Sequence, residues 1–199
     1  MIKTKPQNHF NPLHVVSAAQ EEIPEVLKVA TLWGDYAQNK AKQAEQNSQE
    51  QIHFLAAGGI YDCISLNLEL NISRKKHKFS ISENPEILLC KDSEERVQGI
   101  MEFFEKKREI CISCLATHPN NLRLPLNEQE PNRVTGVGSL LLEEAKKIAT
   151  ERNKAEISLQ PIPTSIQFYE KQGFTRPETY NYMVYKVPLP GKEIFKTAM

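Results

Sequence analysis

Arg133-Val134-Thr135-Gly136-Val137-Gly138 runs directly into Ser139-Leu140-Leu141-Leu142-Glu143-Glu144-Ala145-Lys146-Lys147-Ile148-Ala149. In the second part Leu140, Leu141, Leu142, Ala145, Ile148 and Ala149 recur at helical spacing, and Glu143, Glu144, Lys146 and Lys147 are left for a wet face. The pattern predicts an amphipathic helix from about Gly138. Gly136 and Gly138 then sit where a loop becomes a helix N-terminus. There, backbone N–H groups reach an anion with no Cβ in the way, and the helix dipole favours negative charge. A phosphate or pyrophosphate is the natural ligand, and the Arg133 guanidinium suits its oxygens. A glycine pair alone is ordinary loop chemistry, so its surroundings decide. No third glycine follows, and no strand with an acidic end comes at the dinucleotide-binding spacing. No Lys follows the glycines, which excludes the Walker pattern.

With 199 residues the chain is long enough for one well-buried domain. We expect that domain over residues 13–190, after a polar arm over 1–12 and before a tail over 191–199. Lys plus Arg and Asp plus Glu both number 25. The chain therefore lacks the global basic field that drives binding to nucleic acid or anionic membranes, and neither partner is expected. No apolar run approaches membrane-spanning length and the opening residues are polar, so a soluble, cytosolic protein is expected. Cys111-Ile112-Ser113-Cys114 invites a metal or redox reading. Both cysteines fall in a predicted strand, however, where residues three apart face opposite ways. We expect buried thiols and no metal site.

Leu13 to Ala18 reads as a strand, and Val26, Leu27, Ala30 and Trp33 as a helix with Pro24 in its first turn. A solvated helix over Ala37 to Gln51 should gain an apolar end and stop at Gly58-Gly59. Ile64, Leu66, Leu68, Leu70 and Ile72 alternate with polar residues, which predicts a half-buried strand. The basic cluster from Arg74 to Lys78 reads as a solvated turn. Ile87 to Cys90, Val97 to Phe104 and Glu109 to Thr117 predict an antiparallel meander. The Asn- and Pro-rich residues 119–132 form either a lid or a surface insertion. Ala155 to Leu159 predicts a strand, Pro163 to Gln172 a helix closed by Gly173, and Met183 to Val187 a last strand.

Three segments in this order resemble the GCN5-related N-acetyltransferase superfamily (GNAT). Its cofactor loop reads Arg or Gln, two residues, Gly, one residue, Gly or Ala, as Arg133 to Gly138 do. Leu115-Ala116-Thr117-His118-Pro119 is similar to the family's splayed strand end. Phe168-Tyr169-Glu170-Lys171-Gln172-Gly173-Phe174 is similar to its helix-to-strand signature. The resemblance implies an α/β domain with a mixed, mostly antiparallel sheet flanked by helices, and acetyl-CoA held between splayed strands. It implies that Leu115, Ala116 and Thr117 bind the pantetheine arm and that Arg133, Val134, Thr135, Gly136, Val137, Gly138 and Ser139 bind the pyrophosphate. Tyr169 is implied as the group serving the CoA thiolate. The expected activity is N-acetylation of a small-molecule or protein amine by a monomer or homodimer.

Cys111 stands where family members often carry a glutamate. Glu109 has the same strand parity and is the candidate base, with Glu102 on the neighbouring strand and His118 at the strand end as further candidates. The family asparagine before the tyrosine is replaced by Ile162 or a neighbour. Two other readings stay open, a catalytically silent acyl-CoA-binding or interaction module and a phosphate-binding protein unrelated to CoA.

Overall fold

A computed structural model describes residues 12–46, 48–76, 85–121, 134–177 and 181–188. Arg133, most of the 119–132 stretch, nearly all of the N-terminal arm and the tail lie outside them. In chain order the elements are β1 (His14–Ser17), α1 (Ile23–Gln43), α2 (Gln49–Lys76), β2 (Glu86–Lys91), β3 (Val97–Glu105), β4 (Glu109–Thr117), α3 (Val137–Glu151), β5 (Glu156–Leu159), α4 (Ile166–Lys171) and β6 (Met183–Lys186). The strands form a six-stranded sheet in the order β1-β2-β3-β4-β5-β6. Among the described strands only β4 and β5 are parallel, and α3 is the crossover that a parallel pair requires. The expected mixed, mostly antiparallel sheet flanked by helices is what the chain forms.

Two apolar layers sandwich the sheet. On one face α3 lays Val137, Leu141, Leu142, Ala145, Ile148 and Ala149 over Met101, Phe103, Ile110 and Ile112. Burying Leu141 and Leu142 completely, as here, contributes about 2 kcal/mol each. Gly99 of β3 lies under the start of α3, where an added Cβ would sit 2.4 Å from Val137 Cγ1, so glycine is what lets helix and sheet approach. On the other face α1 buries Val26, Ala30, Trp33, Ala37 and Ala41, and α2 buries Phe54, Ala57, Tyr61, Ile64 and Leu68.

This second layer corrects two expectations. Residues 64–72 form no strand, and Gly58-Gly59 does not stop a helix, because α2 runs through both. Phe54, Ala57, Tyr61, Ile64 and Leu68 recur every three or four residues, and this face packs on α1 and the sheet while Leu66 is exposed. Gly58 faces α1, where an added Cβ would make ordinary contact with Gln38 at 3.7 Å and Ala37 at 4.0 Å, so it lies within the helix pair and not at a terminus. The helix breaks earlier, since α1 ends at Gln43 and α2 begins at Gln49, so the expected helix from Ala37 to Gln51 is two helices. Arg74, Lys75 and Lys76 belong to the last turn of α2, not to a turn.

The turn from β2 to β3 is organised by Asp92, whose side chain is 1 % exposed. Its carboxylate accepts from the Glu94 and Arg96 N–H groups, Arg96 Nε and Gln98 Nε2, all within 3.1 Å. Burial alone would raise its pKa, but these charge-assisted bonds outweigh burial and hold it below the usual carboxylate range. A depressed carboxylate stabilises the fold above its unfolded pKa, and that contribution is lost as pH falls through the folded value. Asp92→Asn is expected to cost roughly 2 kcal/mol at neutral pH. In urea melts the difference from wild type should shrink on acidification, whereas a pH-independent difference would assign the cost to packing.

Candidate active site

Strand β4 contains the feature that builds the site. Glu102 of β3 pairs with Cys114 and Phe103 pairs with Ile112, so Ser113 is an extra residue, a β-bulge. A bulge inverts the alternation. Before it, Ile110 and Ile112 face the α3 layer; after it, Cys114 and Ala116 face the α1–α2 layer, and Leu115 packs against the α3 side. Pairing of β4 with β5 stops at Ile112–Leu159, so among the described residues β4 from Ser113 to Thr117 has no strand on that side. Backbone groups along that edge stand ready for an extended ligand.

Three elements converge on this edge. Gly138, in the first turn of α3, lies where an added Cβ would be 3.6 Å from Leu115 and 3.1 Å from the Phe168 ring. Gln172, just past α4, donates to Ser139 Oγ at 3.1 Å and ties the two helices together. Gly136 caps α3 at φ 86, a left-handed conformation that favours glycine, and among the described residues no side chain caps the helix. The first-turn N–H groups of α3 are therefore open to an anion beside the free edge of β4. Leu115, Ala116, Thr117, Val134, Thr135, Gly136, Val137, Gly138 and Ser139 are thus brought together, while Arg133 lies outside the described residues. Val134 N–H is already used, donating to Asn121 Oδ1 at 2.8 Å. Thr117 is anchored from the other layer, where its carbonyl accepts from the Tyr61 hydroxyl at 2.6 Å.

Tyr169 of α4 is buried between Phe168 and Phe174, at ring separations of 5.1 and 5.8 Å. Burial, and secondarily the nearby Cys114, push its pKa up to about 12. The phenol stays protonated at neutral pH, and among the described residues its hydroxyl has no hydrogen-bond partner.

Glu109 is not brought to this place. It opens β4, four residues before the bulge, roughly 13 Å along an extended strand. The bulge also breaks the parity expected to align it with Leu115. Partial burial would raise its pKa, but bonds from Lys106 and Cys111 prevail and hold it below the usual range. Lys106 Nζ lies 2.9 Å away. A carboxylate so paired is a poor base. His118 is half-buried against Trp33, with its pKa lowered by burial and by the Arg96 charge.

At the bulge itself stands Glu102. It is buried, and its carboxylate accepts from Ser113 Oγ at 2.7 Å and from Asn67 Nδ2 of α2 at 2.5 Å. Cys111 and Cys114, expected on opposite faces, share one because of the bulge, yet they engage different partners. Ser158 donates to the Cys111 thiol at 3.4 Å, whereas Cys114 lies against Cys63 of α2. Cys90, Cys111 and Cys114 are buried, as expected of thiols here, but Cys63 is exposed. Among the described residues no group of His, Cys, Asp and Glu can hold a metal ion.

No family model and no curated protein matches the sequence. Solved structures do match. The PaiA N-acetyltransferase of Thermoplasma acidophilum, crystallised with coenzyme A, aligns with 88 % of this chain and 99 % of its own at 16 % identity and a TM-score of 0.53. A GNAT-family acetyltransferase of Staphylococcus aureus Mu50 aligns with 89 % of this chain and all of its own at 10 % identity and a TM-score of 0.55. The chain has the GNAT fold. The ribosomal-protein-S18-alanine N-acetyltransferase of Escherichia coli, at 13 % identity, covers 92 % of this chain with a TM-score of 0.50. On this GNAT fold the bulged, half-unpaired β4 and the uncapped start of α3 lie side by side, through Leu115 and Gly138. No described helix is long and apolar enough to cross a membrane.

Proposed function

We propose that the chain is an acetyl-CoA-dependent N-acetyltransferase that acts on a primary amine. The observation that carries this reading is the convergence of the free β4 edge and the uncapped glycine N-terminus of α3, with Phe168, the ring neighbour of Tyr169, beside both. These residues fit the cofactor piece by piece. Open N–H groups of residues 135–139 suit a pyrophosphate, the β4 edge from Leu115 to Thr117 suits the amides of pantetheine, and Leu115 and Phe168 supply apolar walls. Bound acetyl-CoA would supply a thioester carbonyl open to an amine and a thiolate able to leave.

The remaining chemistry belongs to the protein. Glu102, rather than Glu109, is placed to take the proton of an incoming ammonium, since it lies at the bulge and faces the α1–α2 layer. Ser113 and Asn67 orient its carboxylate. Tyr169 acts on the opposite side. A phenol near 12 beside a thiol of ordinary pKa, about 8.5, keeps its proton, so its contribution is a hydrogen bond to the departing sulfur. Glu102 on β3 would supply the carboxylate that Cys111 lacks, which weighs against the silent-module reading.

Calorimetric titration with CoA tests the cofactor site. Gly136→Asp is the useful variant, because aspartate tolerates left-handed backbone and nothing lies within 4 Å of the new Cβ. Gly138→Asp would collide with Phe168 and confuse charge with packing. Gly136→Asp should weaken CoA tenfold or more, about 1.4 kcal/mol, while Gly136→Asn changes affinity much less. Equal losses in both would point to backbone strain, and wild-type protein that binds inorganic pyrophosphate but not CoA would favour the unrelated phosphate-binding reading.

A further inference from the structure

Beyond acetyl transfer, the structure holds a pair of thiols that the proposed chemistry does not use. Cys63 of α2 and Cys114 of β4 are 51 residues apart in sequence, yet their sulfurs are 3.2 Å from each other. They differ in access, Cys63 being exposed and Cys114 buried. Asn67, one turn after Cys63, lies within 3.9 Å of the first sulfur and 4.0 Å of the second. Among the described residues the other two cysteines have no sulfur partner. Cys90 is fully buried and Cys111 is bonded to Ser158 and Glu109.

We propose that Cys63 and Cys114 are an oxidisable dithiol, converted by peroxide-class oxidants into a disulfide that ties α2 to β4. Exposed Cys63 is the sulfur an oxidant reaches. Its thiolate attacks the O–O bond of hydrogen peroxide, forming a sulfenic acid and releasing hydroxide. The Cys114 sulfur then attacks the Cys63 sulfur, an S–S bond forms, the S–O bond breaks, and the hydroxyl leaves as water with the Cys114 proton. One peroxide is reduced to two waters and two thiols are oxidised.

The geometry favours this outcome over simple oxidation of an exposed cysteine. A sulfenic acid on Cys63 forms within reach of Cys114, so intramolecular capture competes with any second oxidation. Ordinary disulfide length, about 2.05 Å, is reached by a sulfur movement on the order of 1 Å, which side-chain rotation supplies. Burial raises the Cys114 pKa first of all, with Cys63 and Glu102 adding to it, so Cys114 is not the residue that meets the oxidant. The bond would fix α2 at the bulge, beside Glu102. In a reducing compartment such a bond is transient and reversible.

The test uses the full chain, treated with hydrogen peroxide at low stoichiometry, quenched, unfolded and assayed for free thiols and intact mass. The expected product has two fewer free thiols than the four of the reduced chain, is two hydrogen masses lighter and remains monomeric in non-reducing gels. A proteolytic peptide pair linking Cys63 to Cys114 should appear, and dithiothreitol should restore the original mass. Exposed Cys63→Ser should leave Cys114 reduced under the same treatment, and Cys114→Ala should let Cys63 gain oxygen instead. Oxygen added to wild-type Cys63 without a cross-link, a disulfide between chains, or a bond to Cys90 or Cys111 would overturn the proposal. None of these readouts depends on acetyl transfer, so the dithiol and the enzyme reading fail separately.

Discussion

Glu102→Gln is expected to lower kcat for amine acetylation by 10²-fold to 10⁴-fold, the usual range for loss of a general base. The substitution keeps side-chain size and an oxygen to accept from Ser113 Oγ, so the fold should be retained. Cofactor affinity should hardly change, because Glu102 faces the α1–α2 layer and not the α3 start. Raising the pH should partly restore the rate of the variant, as a larger fraction of the acceptor amine is then free without help. Glu109→Gln is the comparison. With its partner Lys106 at the far end of β4, Glu109 should tolerate the change with kcat within a few-fold of wild type. A large loss in Glu109→Gln with none in Glu102→Gln would return the base to Glu109.

Tyr169→Phe should lower kcat on the order of 10 to 10²-fold, about 1.4 to 2.7 kcal/mol, the worth of a hydrogen bond to a charged sulfur. The ring and its packing on Phe168 and Phe174 are preserved. Thermal stability should stay near that of wild type, since no described residue loses a hydrogen-bond partner. Wild-type activity should show no alkaline loss from this residue until the pH approaches about 12, where the phenol ionises. A Tyr169→Phe protein with lowered melting temperature and unchanged turnover per folded molecule would assign the tyrosine to the core instead.

What the sequence made legible was local. The α3 helix, its glycine start and the short strands β2 to β6 follow from spacing within a dozen residues, and there pattern and structure agree. What it hid was set by distant partners. Ile64, Leu66 and Leu68 alternate like a strand, and only the packing of Tyr61, Ile64 and Leu68 on α1 and the sheet selects the helix. Gly58-Gly59 reads as a stop, yet α2 runs through it, with Gly58 on the side that faces α1. No short-range signal announces the bulge at Ser113, which depends on register with β3. That single inserted residue undid the parity argument linking Glu109 to Leu115 and placed Cys111 and Cys114 on one face. Glu102 ranked behind Glu109 as a candidate because Asn67, which orients its carboxylate, is 35 residues away.

The most direct measurement is release of CoA thiol from acetyl-CoA by purified protein across a panel of primary amines, from polyamines to peptides with free N-termini and lysines. Amine-dependent, saturable release, with acetyl found on nitrogen by mass spectrometry and lost in Glu102→Gln, is the expected result. Tight CoA binding with no amine-dependent release above buffer, across the whole panel, would contradict it and leave an acyl-CoA-binding module on the same fold.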